Sequence, residues 1–202
     1  MATKVVGKLD SWAEGDVGTS DFMNLEEGSN LVRCVTSPYQ FYIHWVNDVS
    51  GQARKVRCAL KDCPACQQGV KSQPRWYVGV LNRKSNKPAI LEMGPQIFKQ
   101  IVSYSKKEKW GDPRQYDVDV EKQPKGTQPL YIVSPEPKEE LTSGEKTLLK
   151  AFIEKTDMVK MVEAPTPEKI REVLGMAPVP AEKTSEKTTS TSDDEDFNFD
   201  SN

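Results

Sequence analysis

Residues 39–46 have the sequence YQFYIHWV, and residues 58–66 have the sequence CALKDCPAC. The first segment is β-branched and aromatic-rich, which predicts a strand, and the second contains a CxxC knuckle. Together they supply four possible metal ligands at the spacing H-x13-C-x4-C-x2-C, namely His44, Cys58, Cys63 and Cys66. Cysteine thiolates and histidine nitrogens are the tetrahedral ligands of structural Zn²⁺ sites. The spacing therefore predicts one structural zinc ion held by these four residues.

Two other interpretations of the cysteines stay open at the level of sequence. A CxxC pair can be a redox dithiol, although such dithiols lie near βαβ patterns that are not seen here. Cys34 can replace His44 and give a four-cysteine site, although Cys34 lies among apolar residues typical of a core strand. Either metal site has all four positions filled by protein, so a structural ion is expected rather than a catalytic one.

On both sides of this segment, short strand patterns are separated by turns. They predict strands at 31–35, 39–46, 76–81, 89–93, 116–120 and 130–133, with one helix at 95–105. Short strands with one interposed helix favour a mainly β fold, an OB-fold-like small barrel with an inserted zinc knuckle. A capping box at Thr142 and Glu145 and a stop at Gly175 predict short C-terminal helices after the barrel.

The 202 residues divide by composition into four parts. Residues 1–27 are expected to form a loosely ordered N-terminal arm. Residues 28–135 are expected to form the OB-fold core, with a zinc subdomain at about 44–72. Residues 136–175 form a predicted helical extension. Residues 176–202 lack the apolar content of a packed core, which predicts a disordered linker and acidic tail.

Charge is segregated along the chain. Residues 1–30 have a net charge of −4, residues 31–135 have +9, and residues 136–202 have −7. Eleven of the 16 aromatic residues also fall in the basic segment. A basic, aromatic-rich body predicts a polyanion as ligand, and the acidic tail is expected to compete for the same surface.

Single-strand binders combine a positive groove for phosphates with aromatic faces for bases. The candidate DNA-binding residues are Arg33, Tyr39, Tyr42, Arg54, Lys55, Arg57, Lys61, Lys71, Arg75, Trp76, Tyr77, Arg83, Lys84, Lys106, Lys107, Lys109 and Trp110. The tyrosines expected at the surface are Tyr39, Tyr42 and Tyr77. The aromatic residues expected in the core are Phe41, Trp45 and Phe98. A duplex reader needs a recognition helix with Arg, Asn or Gln at groove spacing, and the helix at 95–105 has few of these.

The last ten residues combine acidic side chains with two phenylalanines, a composition that suits docking on partner proteins. The candidate partner-binding residues of this tail are Asp193, Asp194, Glu195, Asp196, Phe197, Phe199 and Asp200. The tail is expected to screen the basic body when DNA is absent and to bind partners when DNA displaces it.

Several classes of function are disfavoured. No stretch approaches the 18–20 apolar residues of a membrane span, and no apolar run follows the first residues, which predicts a cytoplasmic protein. The chain has one histidine, no Gly-rich phosphate loop, and no carboxylate–His or Ser–His arrangement. A non-enzymatic role is therefore expected.

Several segments together resemble a known family. They are GSNLVR at 28–33, His44-Trp45-Val46, the Cys58/Cys63/Cys66 knuckle, Trp76–Leu81 before Asn82-Arg83, and Gly111-Asp112-Pro113 before Tyr116-Asp117. Over roughly 28–135, the chain resembles the zinc-containing single-stranded DNA-binding proteins of bacteriophages, which are similar to the helix-destabilising protein of the T-even phages. The resemblance implies an OB-fold with a zinc subdomain beside the DNA groove, and the same four zinc ligands. It also implies roles in DNA replication, recombination and repair in the host cytoplasm, with the tail recruiting replication and recombination proteins.

The sequence thus predicts a non-enzymatic coat for single-stranded DNA with little sequence preference. The alternative is a zinc-ribbon protein-interaction module, such as a transcription or ribosome-associated factor, which would hold a protein partner and show no preference for single strands. A zinc hydrolase is the weakest interpretation, because it needs an open metal position.

Overall fold

The computed structural model describes residues 22–48, 50–126 and 128–176. The strands are β1 Phe22–Met23, β2 Leu31–Cys34, β3 Tyr39–Asn47, β4 Ala53–Arg57, β5 Gln73–Asn82, β6 Lys87–Met93, β7 Tyr116–Gln123 and β8 Leu130–Lys138. The helices are α1 Pro64–Gln67, α2 Pro95–Ser105, α3 Ser143–Lys155, α4 Met158–Val162 and α5 Pro167–Val173, and a 3-10 turn covers Pro113–Gln115. Nearly all of the predicted arm and tail lies outside the described residues.

The strands pair into one eight-stranded sheet whose longest strand is β5. On one edge, the first half of β5 pairs with β3 and its second half pairs with β2, while β6 pairs along the other edge. The strand β2 also pairs with β7, which pairs with β8, and β4 pairs with β3. The predicted fold class is confirmed: the protein is mainly β, with a cysteine knuckle inserted after β4 and short helices at the C-terminal end.

The main core lies on one face of the sheet under α2. Inward side chains of β2, β5, β6, β7 and β8 share this core with Ile97 and Ile101 of α2. Because strands from both ends of the sheet reach the same core, the sheet curls around the helix. The amides of Gln96 and Gln100 hold α2 to the edge of β8: Gln96 Oε1 accepts from the Tyr131 amide at 3.2 Å, and Gln100 Nε2 donates to the Tyr131 carbonyl at 2.9 Å.

The opposite face of β3, β5 and β6 is covered by α3 and α4. Phe152 of α3 and Met158 of α4 pack against Phe41, Tyr77 and Ile90. This part of the sheet is therefore buried on both faces, a pattern that gives continuous apolar runs rather than alternation.

The glycine in the middle of β5 makes this covering possible. A Cβ added at Gly79 would lie 2.9 Å from Thr36 Cγ2 and 3.2 Å from Phe152 Cε1. Only a residue without a side chain lets the Phe152 ring approach the strand this closely.

The predicted helix boundaries follow from local signals. The predicted helix at 95–105 coincides with α2, which has Pro95 in its first turn. Both hydrogen bonds of the capping box between Thr142 and Glu145 are present at the start of α3. Proline also starts α5, and Gly175 follows it with φ +65°. In the part of the chain that the structure describes, no helix is long and apolar enough to cross a membrane.

A buried charge network joins the sheet to α3. Arg33 on β2 is 1% exposed, and its Nε donates to Asp117 Oδ1 on β7 at 2.6 Å. Arg83 donates to the same carboxylate, with Nε 2.8 Å from Oδ2, and also bonds Glu145 of α3. The candidate DNA-binding residue Arg33 is therefore not at the surface, and its guanidinium group is paired with Asp117 inside the protein.

Candidate metal centre and nucleic-acid surface

The four predicted metal ligands converge from three places in the chain. His44 lies on β3, Cys58 follows β4, Cys63 caps α1, and Cys66 lies within α1. All four ligand atoms lie within 4.8 Å of one another. The structure thus brings together residues up to 22 positions apart into one cluster that can hold a metal ion.

Three of the six distances between ligand atoms in the cluster are close to those of a tetrahedral site. His44 Nε2 lies 3.6 Å from Cys63 Sγ and 3.5 Å from Cys66 Sγ, and the Sγ atoms of Cys58 and Cys66 are 3.7 Å apart. A tetrahedral Zn²⁺ with ordinary bond lengths would separate sulfurs by about 3.8 Å and sulfur from nitrogen by about 3.6 Å. His44 is fully buried, and its Nδ1 has no hydrogen-bond partner among the described residues, so Nε2 is the nitrogen that faces the cluster.

The chain between the ligands is bent to present the sulfurs. Leu60 and Asp62 have φ values of +63° and +51°, a conformation that non-glycine residues adopt with strain. The Leu60 amide lies 3.3 Å from Cys58 Sγ and donates to it. Leu60 itself is 63% exposed. The strained turn brings Cys58 and Cys63 into one cluster and leaves Leu60 exposed between them.

A small core of its own supports the knuckle. Val46, Cys58, Cys63 and Ala65 pack with Ile170, which α5 inserts from the C-terminal extension. The helices predicted at 136–175 therefore reach back to the metal cluster instead of standing apart from it.

Cys34 does not join the cluster. It lies in the main core, whereas Cys58 and Cys63 lie in the small core of the knuckle. Burial raises the pKa of the Cys34 thiol to about 12, as expected for a cysteine packed in an apolar core. The geometry favours the His44 set over the four-cysteine alternative.

Beyond the cluster, the hairpin of β3 and β4 curls over one face of the sheet. Trp45 pairs with Lys55 across the hairpin, and Phe41 pairs with Arg75 on β5, so these side chains share that face. Lys55 Nζ reaches Glu92 Oε2 on β6 at 2.7 Å, although β3 and β5 lie between their strands. We call this concave region the basic cleft; its residues are Phe41, Trp45, Lys55, Arg57, Arg75 and Tyr77.

The basic cleft contains three cations and one carboxylate. Arg57 lies over the ring of Phe41 at 4.7 Å and over that of Tyr77 at 5.5 Å. Glu92 pairs with Lys55 and lies 3.6 Å from Arg75 Nε. Lys55 and Arg75 therefore share one carboxylate as their acidic partner.

The aromatic residues are not distributed as predicted. Trp45 is 50% exposed instead of lying in the core, because the hairpin continues beyond the point where β5 pairs with it. Tyr77 is 7% exposed instead of lying at the surface, because α3 and α4 cover its face. Trp76 is also buried and stacks on Phe98, with ring centroids 3.9 Å apart. Tyr42 is exposed as predicted, and Tyr39 and Phe98 are half-buried.

The remaining predicted cations lie on several elements. Exposed side chains on and near the knuckle and hairpin are those of Arg54, Lys61 and Lys71. Arg54 pairs with Asp48 at 2.5 Å, Lys84 pairs with Glu26 at 2.5 Å, and Arg83 is engaged in the buried network.

Lys106, Lys107 and Lys109 are exposed after α2, and Lys109 lies over the ring of Trp110. Trp110 packs beside Tyr116 against the main core, so this second basic cluster lies on a different element from the basic cleft.

Comparison with known proteins gives one relative of interest. The chain is similar to a protein of Escherichia phage T5 named as a probable ssDNA-binding protein, with 24% identity. The match covers 61% of this chain and 59% of the relative, so the chain spans about three fifths of the length of the curated relative it matches. No family model and no solved structure matches the chain.

Proposed function

We propose that this protein is a non-enzymatic binder of single-stranded DNA with little sequence preference. The observation that carries the proposal is the exposed Trp45 beside Lys55 on a hairpin that bears a metal-ligand cluster. An exposed indole next to cations is what stacking on bases and neutralising phosphates requires. The name of the phage T5 relative supports the same class of protein, that of phage single-stranded DNA-binding proteins. The finer likeness to the T-even helix-destabilising protein stays a prediction.

Zn²⁺ is the ion that this donor set suits best. One imidazole and three thiolates are soft to borderline ligands, and three of the distances between them are close to those of a Zn²⁺ tetrahedron. We propose His44, Cys58, Cys63 and Cys66 as its ligands. With four protein ligands, the ion would fix the hairpin against α1 and would leave no open position for catalysis.

Single strands suit this surface better than duplexes. The central helix α2 uses the amides of Gln96 and Gln100 to bind β8, so they are not free to read a groove. The basic cleft instead presents cations and a flat ring side by side. Lys and Arg would release counterions from phosphates, which makes binding strongly dependent on salt.

The test compares an oligo(dT) strand with a hairpin duplex of equal length in competition at moderate salt. We expect oligo(dT) to win clearly, and we expect the logarithm of its affinity to fall linearly with the logarithm of salt concentration. A duplex that competes as well as the homopolymer would exclude the proposed function. Binding to protein partners without a preference for single strands would favour the interaction-module alternative.

We also propose that the acidic segment 193–202 recruits proteins of replication, recombination and repair, and competes with DNA for the basic segment. The support is charge: residues 193–202 carry five negative charges and two phenylalanines, whereas residues 31–135 have a net charge of +9. Deleting 193–202 is expected to tighten DNA binding at low salt and to abolish capture of partner proteins. Unchanged affinity at low salt would reject the screening role, and partner capture that survives the deletion would reject recruitment.

A further inference from the structure

The covered part of the basic cleft lies on the strands through which small barrels of this type bind oligonucleotides. OB-folds bind oligonucleotides on the face of their second and third strands. Here β2 and β3 together form the first, bent strand, and β5 and β6 hold the second and third positions. Phe41 and Tyr77 lie on that face with ring centroids 4.3 Å apart, and Arg57 lies over both rings.

Phe41, Tyr77 and Arg57 combine aromatic rings with a cation, as Trp45 and Lys55 do at the exposed end of the same cleft. Trp45 and Lys55 occupy the face at the far end of the hairpin, where nothing covers the indole fully. Phe41 and Tyr77 continue the same face toward the centre of the sheet. A strand of bases stacked at Trp45 would therefore run toward these two rings.

Helices α3 and α4 lie over this second group. Phe152 and Met158 pack against Phe41 and Tyr77, Phe22 of β1 also contacts the Tyr77 ring with centroids 5.1 Å apart, and each ring is less than a tenth exposed. The carbonyl of Glu163, just after α4, accepts a hydrogen bond of 3.1 Å from Arg57 Nη1. An aromatic ring and a carbonyl oxygen thus stand where a base and a phosphate oxygen would bind.

The contacts that hold this cover in place are the ion pair between Glu145 of α3 and Arg83 and a small set of apolar side chains. Leu149 and Phe152 are the buried residues of α3, and Met158 is the buried residue of α4. Leu148, Ile153 and Val159 on the same helices are exposed. Segments with few buried apolar contacts open at lower cost than the strands of a core.

We propose that Phe41, Arg57 and Tyr77 form a second nucleotide-binding subsite, and that α3 and α4 are a displaceable cover over it. This inference rests on the proposed function and adds a covered subsite to the proposed DNA-binding surface. Single-stranded DNA binds the exposed end of the cleft first, and a longer strand then displaces the cover. The apparent affinity of a long strand is reduced by the fraction of molecules in which the subsite is open.

The experiment loosens the cover without touching the subsite. The variant Phe152→Ala/Met158→Ala removes the two covering side chains, and the matched control Ile153→Ala/Val159→Ala removes exposed apolar side chains from the same two helices. Affinity for oligo(dT) of about 16 nucleotides, a length that spans one OB-fold site, is measured for both full-length variants and for the wild type. Hydrogen exchange of residues 143–162 in the wild type is measured with and without the oligonucleotide.

The covering variant is expected to bind about tenfold more tightly than the wild type, while the control is unchanged. The oligonucleotide is expected to speed hydrogen exchange in α3 and α4. If the folded covering variant binds no more tightly than the wild type, or exchange in α3 and α4 is unchanged or slowed by DNA, the cover is a permanent part of the fold and the inference is overturned. Should the covering variant not fold, the exchange measurement on the wild type decides alone. If neither the wild type nor the covering variant binds oligo(dT), the proposed function is rejected, and this inference with it.

Discussion

Replacing Cys63 with serine is expected to remove zinc from the protein and to lower its affinity for oligo(dT) at least about tenfold. Serine is not a ligand of structural zinc, so the variant leaves three donors. His44, Cys58 and Cys66 come from β3, from the end of β4 and from α1, and the ion would be their common support. Without it, the hairpin that carries Trp45 and Lys55 loses its anchor. Metal content by mass spectrometry and DNA binding by anisotropy measure the two effects.

Cys34→Ser is the matched control for this change. The chemical substitution is the same, but Cys34 lies in the main core and outside the cluster. It is expected to keep one zinc per chain and ordinary DNA affinity, with a loss of about 1–3 kcal/mol in unfolding free energy from the buried hydroxyl. A Cys63→Ser protein that keeps stoichiometric zinc, or a Cys34→Ser protein that loses it, would contradict the assigned ligand set.

Asp117→Ala is expected to lower the unfolding free energy by about 3–5 kcal/mol, the cost of leaving a buried charge unpaired. Arg33 is almost wholly buried and depends on Asp117 for its charged partner, and Arg83 binds the same carboxylate. Removing the carboxylate leaves buried Arg33 without its acidic partner and leaves Arg83 with Glu145 alone. Urea unfolding followed by circular dichroism measures the change.

The control for this prediction is Glu26→Ala. Glu26 also pairs with a cation, Lys84, but both side chains are mostly exposed. Exposed pairs contribute little because water and salt screen them, so the control is expected to unfold at nearly the wild-type urea concentration. If Asp117→Ala is no more destabilising than this exposed carboxylate, the buried network is not a source of stability.

The elements with local signals could be predicted from the sequence. Helix α2 has a proline in its first turn and an apolar stripe, and α3 has a complete capping box, so local residues indicate where each helix begins. The metal ligands also follow from spacing, because a CxxC turn brings two sulfurs together without help from distant residues. By contrast, β4 was not predicted, since its residues are exposed or half-buried and show no alternation.

The errors concern partners that are distant in sequence. Alternation correctly places Trp76 and Tyr77 on opposite faces of β5, but only the fold reveals that α3 and α4 bury the second face. Trp45 shares a face with buried Phe41, yet the pairing of β3 with β5 ends at Ile43, so the indole has a neighbouring strand only on the β4 side. Arg33 pairs with Asp117, 84 residues further along the chain, and no local sequence pattern indicates this pairing.

The proposed binding of single-stranded DNA depends most on Trp45, which would stack on bases beside the metal-ligand cluster. The most direct test is the affinity of Trp45→Ala for oligo(dT), with Ile132→Ala, an exposed apolar residue on β8, as control. Loss of one stacked base costs about 1–3 kcal/mol, so the variant is expected to bind roughly 5–150 times more weakly while the control binds like the wild type. A folded, zinc-containing Trp45→Ala protein with wild-type affinity would contradict the account.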